Sequence, residues 1–114
     1  MPNPVVHFEI IGKDKDLLEG FYKELFAWQF SPVSGHYSMA IPGSGINGGI
    51  GSMPDSPCNV TFYVEVEDIA ATLAAVEKLG GHKAYGPEMV PGGPTVAGFV
   101  DPEGHLIGLM QARR

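Results

Sequence analysis

The chain has 114 residues, 44% of them hydrophobic, and a formal net charge of −6, a composition typical of one small globular domain. The negative charge argues against a nucleic-acid partner, because phosphate binding needs a basic surface, and no apolar run approaches the roughly 18 residues of a membrane span. The first residues lack a secretory signal pattern and Cys58 cannot form an internal disulfide, so we expect a cytoplasmic protein.

The first half of the chain predicts one strand, one helix and three further strands. Side chains alternate in a strand near residues 5–11, and a helix near 14–27 follows, which either Asp14 or Asp16 can cap. The helix has apolar residues at three- and four-residue spacing: Leu17, Leu18, Phe21, Tyr22, Leu25 and Phe26. Short runs bounded by turn residues predict strands at about 29–33, 37–41 and 46–52.

The second half repeats this order after a linker at 54–58, where two prolines discourage both helix and central strand. A strand near 60–66 precedes a helix near 68–79 capped by Asp68, and strands follow at about 83–85, 96–100 and 106–111. A shift of 54 residues superposes Phe8 on Phe62 and Leu25 on Leu79, so such positions should define the core. A shift of about 59 aligns the final turns. The chain therefore predicts one domain over 1–114, with module one at 4–53 and module two at 59–112.

Alternation assigns two faces to the first strand of each module. The apolar face should pack under the helices and contains Phe8, Ile10, Phe62, Val64 and Val66. The opposite face is polar and contains His7, Glu9, Thr61, Tyr63 and Glu65. From alternation alone, a polar face turned toward water is the simpler interpretation.

The last turn and strand, Asp101-Pro102-Glu103-Gly104-His105-Leu106-Ile107-Gly108-Leu109, resemble a pattern of the vicinal-oxygen-chelate superfamily. That superfamily includes glyoxalase I, bleomycin-resistance proteins and extradiol dioxygenases, and its pattern is Asp-Pro-x-Gly-x-x-Ile-Glu-Leu. The resemblance covers nearly the whole chain. It implies an α+β fold of two βαβββ modules forming curved mixed sheets, the glyoxalase/bleomycin-resistance/dioxygenase fold. It also implies that the polar face lines a concave cavity for a small-molecule ligand, and that the protein is a homodimer.

The resemblance further implies four metal-binding positions, which map onto His7, Gly49, Thr61 and Gly108. One imidazole and one hydroxyl do not hold a divalent ion, since zinc and octahedral metals need three or more donors. We therefore expect no metal and no other cofactor, although Glu9 could act as a second ligand beside His7. The two glycines either clear space for a larger ligand or sit where the sheet bends.

Two classes of function follow from the resemblance. The first is a metal-free binding protein of the bleomycin-resistance type, whose ligand would contact His7, Glu9, Thr61, Tyr63, Glu65, Gly49 and Gly108. The second is a lyase, isomerase or ring-cleaving dioxygenase, either metal-dependent or metal-free. In that case His7, with Glu9 or Tyr63, would transfer a proton. A purely structural role for His7 stays open, and the sequence leaves open whether the protein is an enzyme.

Overall fold

A computed structural model describes residues 2–53, 55 and 57–113. Pro54 and Ser56 of the predicted linker 54–58 lie outside the described residues. The described residues form two βαβββ modules of α+β class, with the elements β1 Val5–Gly12, α1 Lys15–Phe26, β2 Gln29–Ser34, β3 Tyr37–Ile41, β4 Gly48–Ser52, β5 Asn59–Val66, α2 Ile69–Lys78, β6 His82–Met89, β7 Thr95–Val100 and β8 Leu106–Gln111. The predicted strands and helices are confirmed, mostly within two residues at each end.

The strands of the first module are ordered β2–β3–β4–β1. The pairs β2–β3 and β3–β4 are antiparallel, whereas β1 and β4 run parallel. In the parallel pair Glu9 lies opposite Gly49. The glycine of β4 therefore lies beside the polar residues of β1.

The second module repeats this arrangement in the order β5–β8–β7–β6, with β5 and β8 parallel. Here Tyr63 lies opposite Gly108. Glu9 and Tyr63 are 54 residues apart and Gly49 and Gly108 are 59 apart, so the pairing confirms both shifts deduced from the repeat.

Both helices begin at the predicted aspartates. The Asp14 carboxylate accepts a hydrogen bond of 3.0 Å from the Leu17 amide, and Asp68 accepts one of 3.0 Å from the Ala71 amide. Each bond satisfies an amide that the first helical turn leaves without an intrahelical partner. Of the two candidates for α1, Asp14 is the cap.

The core of each module is small. In the second module, α2 packs on β7 and β8 through a cluster of buried residues: Val66, Ile69, Leu73, Ala97 and Leu109. In the first, Ala40 and Ile50 are fully buried, and an aromatic group packs between β1 and the end of α1: Phe8, Tyr22, Phe26 and Trp28.

Three of the predicted core positions are wrong. Leu25 and Leu79 are 58% and 79% exposed, and Phe62 is 40% exposed. Leu79 follows the last residue of α2, and Leu25 belongs to a helix in which no residue is buried. The apolar stripe of α1 is wider than the surface that its module offers.

Strand β6 is five residues longer than the predicted 83–85. Gly86 and Pro87 indicate a break, yet a register shift against β7 between Tyr85 and Glu88 accommodates them. A second shift precedes it, between Lys83 and Tyr85. Tyr85 belongs to both the predicted and the observed strand, and it pairs with Gly98 of β7.

The contacts divide the chain into two compact units. The first is Val6–Thr61, and the second comprises the residues from Phe62 onward together with those before Val6. Within the described residues, neither helix is long and apolar enough to cross a membrane.

Candidate functional site

A cluster of polar side chains lies on the predicted polar face of β1 in the first unit. His7 and Glu9 are two residues apart, and the hydroxyl of Tyr37, at the start of β3, lies between them. The hydroxyl is 3.0 Å from His7 Nε2 and 3.0 Å from Glu9 Oε2. We call His7, Glu9 and Tyr37 the first-module cluster.

The hydrogen bonds of this cluster assign its protons. Tyr37 donates to the Glu9 carboxylate, so its oxygen accepts from His7, which must carry its proton on Nε2. Burial and the negative charge of Glu9 raise the pKa of the Tyr37 hydroxyl far above its ordinary value. Burial lowers the pKa of His7 below its ordinary value of 6.5. The cluster therefore holds a neutral imidazole, a protonated tyrosine and an acceptor carboxylate at neutral pH.

The Tyr37 ring fills the space above the glycines of β4. A Cβ atom built on Gly49 would lie 1.6 Å from the Tyr37 hydroxyl oxygen, and one on Gly51 would lie 2.8 Å from the Tyr37 ring. No side chain can share that volume with Tyr37. The space beside Gly49, the first glycine of the predicted metal set, is thus filled by the side chain of Tyr37.

The second unit carries a row of two tyrosines and two glycines across its four strands. Tyr63 on β5 lies opposite Gly108 on β8, Gly108 opposite Gly98 on β7, and Gly98 opposite Tyr85 on β6. A Cβ on Gly108 would lie 2.4 Å from the Tyr63 ring, and one on Gly98 would lie 2.1 Å from the Tyr85 ring. The two hydroxyls meet at 3.2 Å above this floor. We call these four residues the tyrosine–glycine row.

The other predicted site residues lie on β5. Thr61 and Glu65 alternate with Tyr63 and are half-buried, with Thr61 in the first unit and Glu65 in the second. Of the predicted set, the structure joins His7 to Glu9 through Tyr37, and joins Tyr63 to Tyr85.

Sequence reasoning missed Tyr37 and Tyr85, which make these connections. A signal was present in the Gly48-Gly49-Ile50-Gly51 run, because a buried strand without side chains needs aromatic residues on neighbouring strands to fill its surface. The register that brings a particular tyrosine to a particular glycine depends on turn geometry, which the sequence did not reveal.

The residues at the four positions implied by the superfamily do not fit a divalent cation. They supply the His7 imidazole, the Thr61 hydroxyl and two glycines. Across residues 2–53, 55 and 57–113, no three His, Cys, Asp or Glu side chains are grouped as a metal site requires. Because His7 Nε2 donates its proton to Tyr37, only the Nδ1 nitrogen of this imidazole has a lone pair.

A separate feature of the first unit is an open apolar groove of about 570 Å³. It is lined by Ile10, Ile11, Gly12, Lys13, Asp14, Leu17, Leu18, Cys58, Asn59 and Val60. None of the first-module cluster contributes to it. We call it the α1 groove and, because it is shallow and apolar, distinguish it from the polar site.

Known proteins with similar sequences identify the family. A glyoxylase-like domain-containing protein from Didymella fabae is 30% identical over 100 residues, covering 73% of this chain and 77% of that protein. The chain belongs to the glyoxalase-like family. No family model matches the sequence. The family assignment confirms the predicted membership of the vicinal-oxygen-chelate superfamily.

Solved structures show the same glyoxalase-like fold. Methylmalonyl-CoA epimerase from Mycobacterium tuberculosis aligns with a TM-score of 0.69 and 15% identity over 96% of this chain and 88% of its own. A glyoxalase/bleomycin resistance protein/dioxygenase superfamily member from Vibrio splendidus 12B01 aligns with a TM-score of 0.69 and 15% identity, covering 97% of this chain and 100% of that one. Streptomyces coelicolor methylmalonyl-CoA epimerase aligns with a TM-score of 0.71 and 17% identity, covering 98% of this chain and 96% of its own. At such identities the likeness concerns the fold alone.

The lowered pKa of His7 predicts a specific loss of stability in acid. The unfolded chain takes up a proton at His7 near pH 6.5, whereas the folded chain does so only at lower pH. Folding stability should therefore be fully present above that value and fall as the pH drops through it. Urea unfolding midpoints at about pH 7.5 and 5.5 should differ less for His7→Gln than for the wild type. Equal pH dependence in the two proteins would show that His7 does not titrate as proposed.

Proposed function

We propose that this glyoxalase-like protein binds a polar small molecule at the first-module cluster and does so without a metal ion. The observation that carries the proposal is the hydrogen-bonded chain from Glu9 through Tyr37 to His7. Partly buried polar groups held in one arrangement are the usual means by which a pocket orients a ligand. Thr61 lies in the same unit and is proposed as an additional contact. The tyrosine–glycine row and Glu65 are proposed as a separate polar site of the second unit.

The proposal is tested by screening small carbonyl, carboxylate and hydroxy compounds, including acyl-CoA thioesters, for ligands that raise the melting temperature. Acyl-CoA compounds are included because one structural neighbour is a complex of methylmalonyl-CoA epimerase with methylmalonyl-CoA. For a true ligand of the cluster, Tyr37→Phe and His7→Gln should each weaken binding by roughly ten- to a hundredfold, as expected for the loss of a buried hydrogen bond.

Val33→Ala is a suitable control variant, because Val33 is an exposed residue of β2. Ligands that bind Tyr37→Phe, His7→Gln and wild type equally would place the binding site elsewhere. A screen with no ligand at all would contradict the proposal.

The cluster also favours a second function, a metal-free proton transfer of the kind that a lyase or isomerase performs. His7 is neutral, so its ring can accept a proton, and Glu9 can stabilise the resulting imidazolium through Tyr37. Tyr63 would be the proton-transferring group of the second unit. Incubation of each ligand in deuterium oxide, followed by NMR, tests this function. Exchange of a carbon-bound hydrogen that His7→Gln abolishes would support an enzyme, and absence of exchange would leave a binding protein.

We further propose that the protein is a homodimer assembled through α1. None of the twelve residues of α1, all of which are described, is buried, and Leu17, Phe21, Leu25 and Phe26 are 53–70% exposed. We call these four residues the α1 stripe. Leu17 also lines the α1 groove, as does Val60, which is 73% exposed. The stripe and the groove thus share Leu17.

The exposed apolar side chains of α1 favour a second copy of the chain as the occupant, because two-fold pairing of two such stripes covers both at once. A standard interface buries about 800 Å² on each partner. Sedimentation at micromolar concentration should give a particle of twice 12.1 kDa, and a monomer would contradict the proposal.

A further inference from the structure

Tyr37 joins His7 to Glu9 in the first-module cluster. Its hydroxyl contacts His7 and Glu9, and its ring covers Gly49 and Gly51. The side chain comes from β3, whereas His7 and Glu9 are on β1 and the two glycines on β4. One side chain thus links three strands of the first module.

Two properties of Tyr37 act against a metal ion independently of the missing ligands. Its hydroxyl lies where the side chain of residue 49 would begin, so a carboxylate cannot be placed there while the tyrosine remains. It also accepts the Nε2 proton of His7 and donates its own proton to Glu9 Oε2, so one potential ligand atom of each side chain is already engaged.

We propose that Tyr37 is the specificity-determining residue of this site: it excludes divalent cations and makes the first module a site for ligands recognised by hydrogen bonds. The ligand part of this inference rests on the proposed function, whereas the exclusion of metal stands on the geometry of Tyr37 and Gly49. Metal binding is therefore prevented by the presence of the Tyr37 side chain as well as by the absence of metal ligands.

A metal site in the first module would require two simultaneous changes, at positions 37 and 49. Residues 9 and 49 lie opposite each other on parallel strands, and His7 is on the same face two residues from Glu9. A carboxylate at position 49 would therefore complete a set of one imidazole and two carboxylates, which is a known ligand set for zinc and other divalent metals. It can do so only once Tyr37 has been shortened.

The experiment compares the wild type with Gly49→Glu, Tyr37→Ala and the double variant Tyr37→Ala/Gly49→Glu. Each protein is stripped with a chelator, dialysed and titrated calorimetrically with Zn²⁺ and with Ni²⁺. The double variant should bind one ion per chain at least about tenfold more tightly than the wild type or either single variant. Adding His7→Ala to the double variant should abolish the gain, which distinguishes this site from the other histidines. Equal binding by Gly49→Glu and the double variant, or no gain in the folded double variant, would overturn the proposal.

A second measurement applies if the double variant fails to fold. Nitrogen-15 NMR of the wild type should show the neutral ring of His7 protonated at Nε2, with a proton exchanging more slowly than in Tyr37→Phe. A wild-type ring protonated at Nδ1, or identical spectra in the two proteins, would overturn the proposal. Neither measurement involves a small-molecule ligand, so failure of the ligand screen and failure of metal exclusion are separate results.

Discussion

Replacing Gly108 with alanine should destabilise the protein by about 1–3 kcal/mol, although the change adds a single methyl group. The new Cβ would lie 2.4 Å from the ring of Tyr63, and the contact reaches 2.7 Å at the ring carbon nearest the backbone. Tyr63 is buried and its hydroxyl is bonded to Tyr85, so its ring cannot move aside without breaking that contact. For a domain of this size, the melting temperature should fall by on the order of 10 °C.

Gly20→Ala is the matched control for Gly108→Ala. Gly20 lies within α1, and nothing is within 4 Å of a Cβ built on it. Alanine there removes backbone freedom from the unfolded chain and should stabilise the protein by about 0.5–1 kcal/mol. The two variants carry the same chemical change. In urea unfolding, the free energy of unfolding should decrease for Gly108→Ala and increase for Gly20→Ala. A Gly108→Ala protein as stable as the wild type would show that Tyr63 does not rest on Gly108 in solution.

Replacing Phe21 with glutamate should convert the proposed dimer into monomers. Phe21 lies in the middle of the α1 stripe and is 58% exposed in the single chain. A two-fold symmetric contact would bury one new carboxylate from each copy. Burying such unpaired charges costs several kcal/mol, so the dissociation constant should rise at least about a hundredfold. Sedimentation velocity across a concentration series measures this shift directly.

Phe21→Leu is the matched control, because it keeps an apolar side chain at the same position and should keep the dimer. The circular dichroism spectrum of Phe21→Glu should resemble that of the wild type, since Phe21 is largely exposed in the isolated chain. A Phe21→Glu protein that remains dimeric would place the interface on another surface and leave the α1 stripe without an assigned partner.

The fold could be predicted from the sequence because the same pattern of strand, helix cap and helix occurs twice. The alternation in β1 and β5, the capping residues Asp14 and Asp68 and the helical spacing behind them recur at a constant shift. Two weak local patterns at matching positions are a strong signal when each supports the same module. The final Asp101–Gln111 segment then related the two modules to a known superfamily.

The contacts of the site could not be predicted in the same way. His7 and Glu9 were identified because they alternate within one strand, a local property. Tyr37 joins them from a strand that is adjacent only to β4 and β2, so its role depends on the register of two strand pairs. Tyr85 lies within the predicted strand 83–85, but its contact with Tyr63 depends on the register of β6 against β7 and of β7 against β8.

The exposed positions Leu25 and Leu79 illustrate a different limit. Helical periodicity identifies which residues of a helix are apolar, but it does not say whether the surface that covers them comes from the same chain. In α1 the stripe extends beyond the module's own strands. The apolar pattern was identified correctly, but the prediction that these residues belong to an internal core was wrong.

The close fit of tyrosine on glycine also has an evolutionary consequence. At positions 37 and 49, and again at 63 and 108, a carboxylate gained before the tyrosine is lost would clash with the ring. A tyrosine lost first would leave a gap and remove a hydrogen bond. Each order of substitution passes through a less fit intermediate, so the two positions of a pair show sign epistasis. Descendants of this chain should therefore keep or change each pair together, and single exchanges at either member should be rare among them.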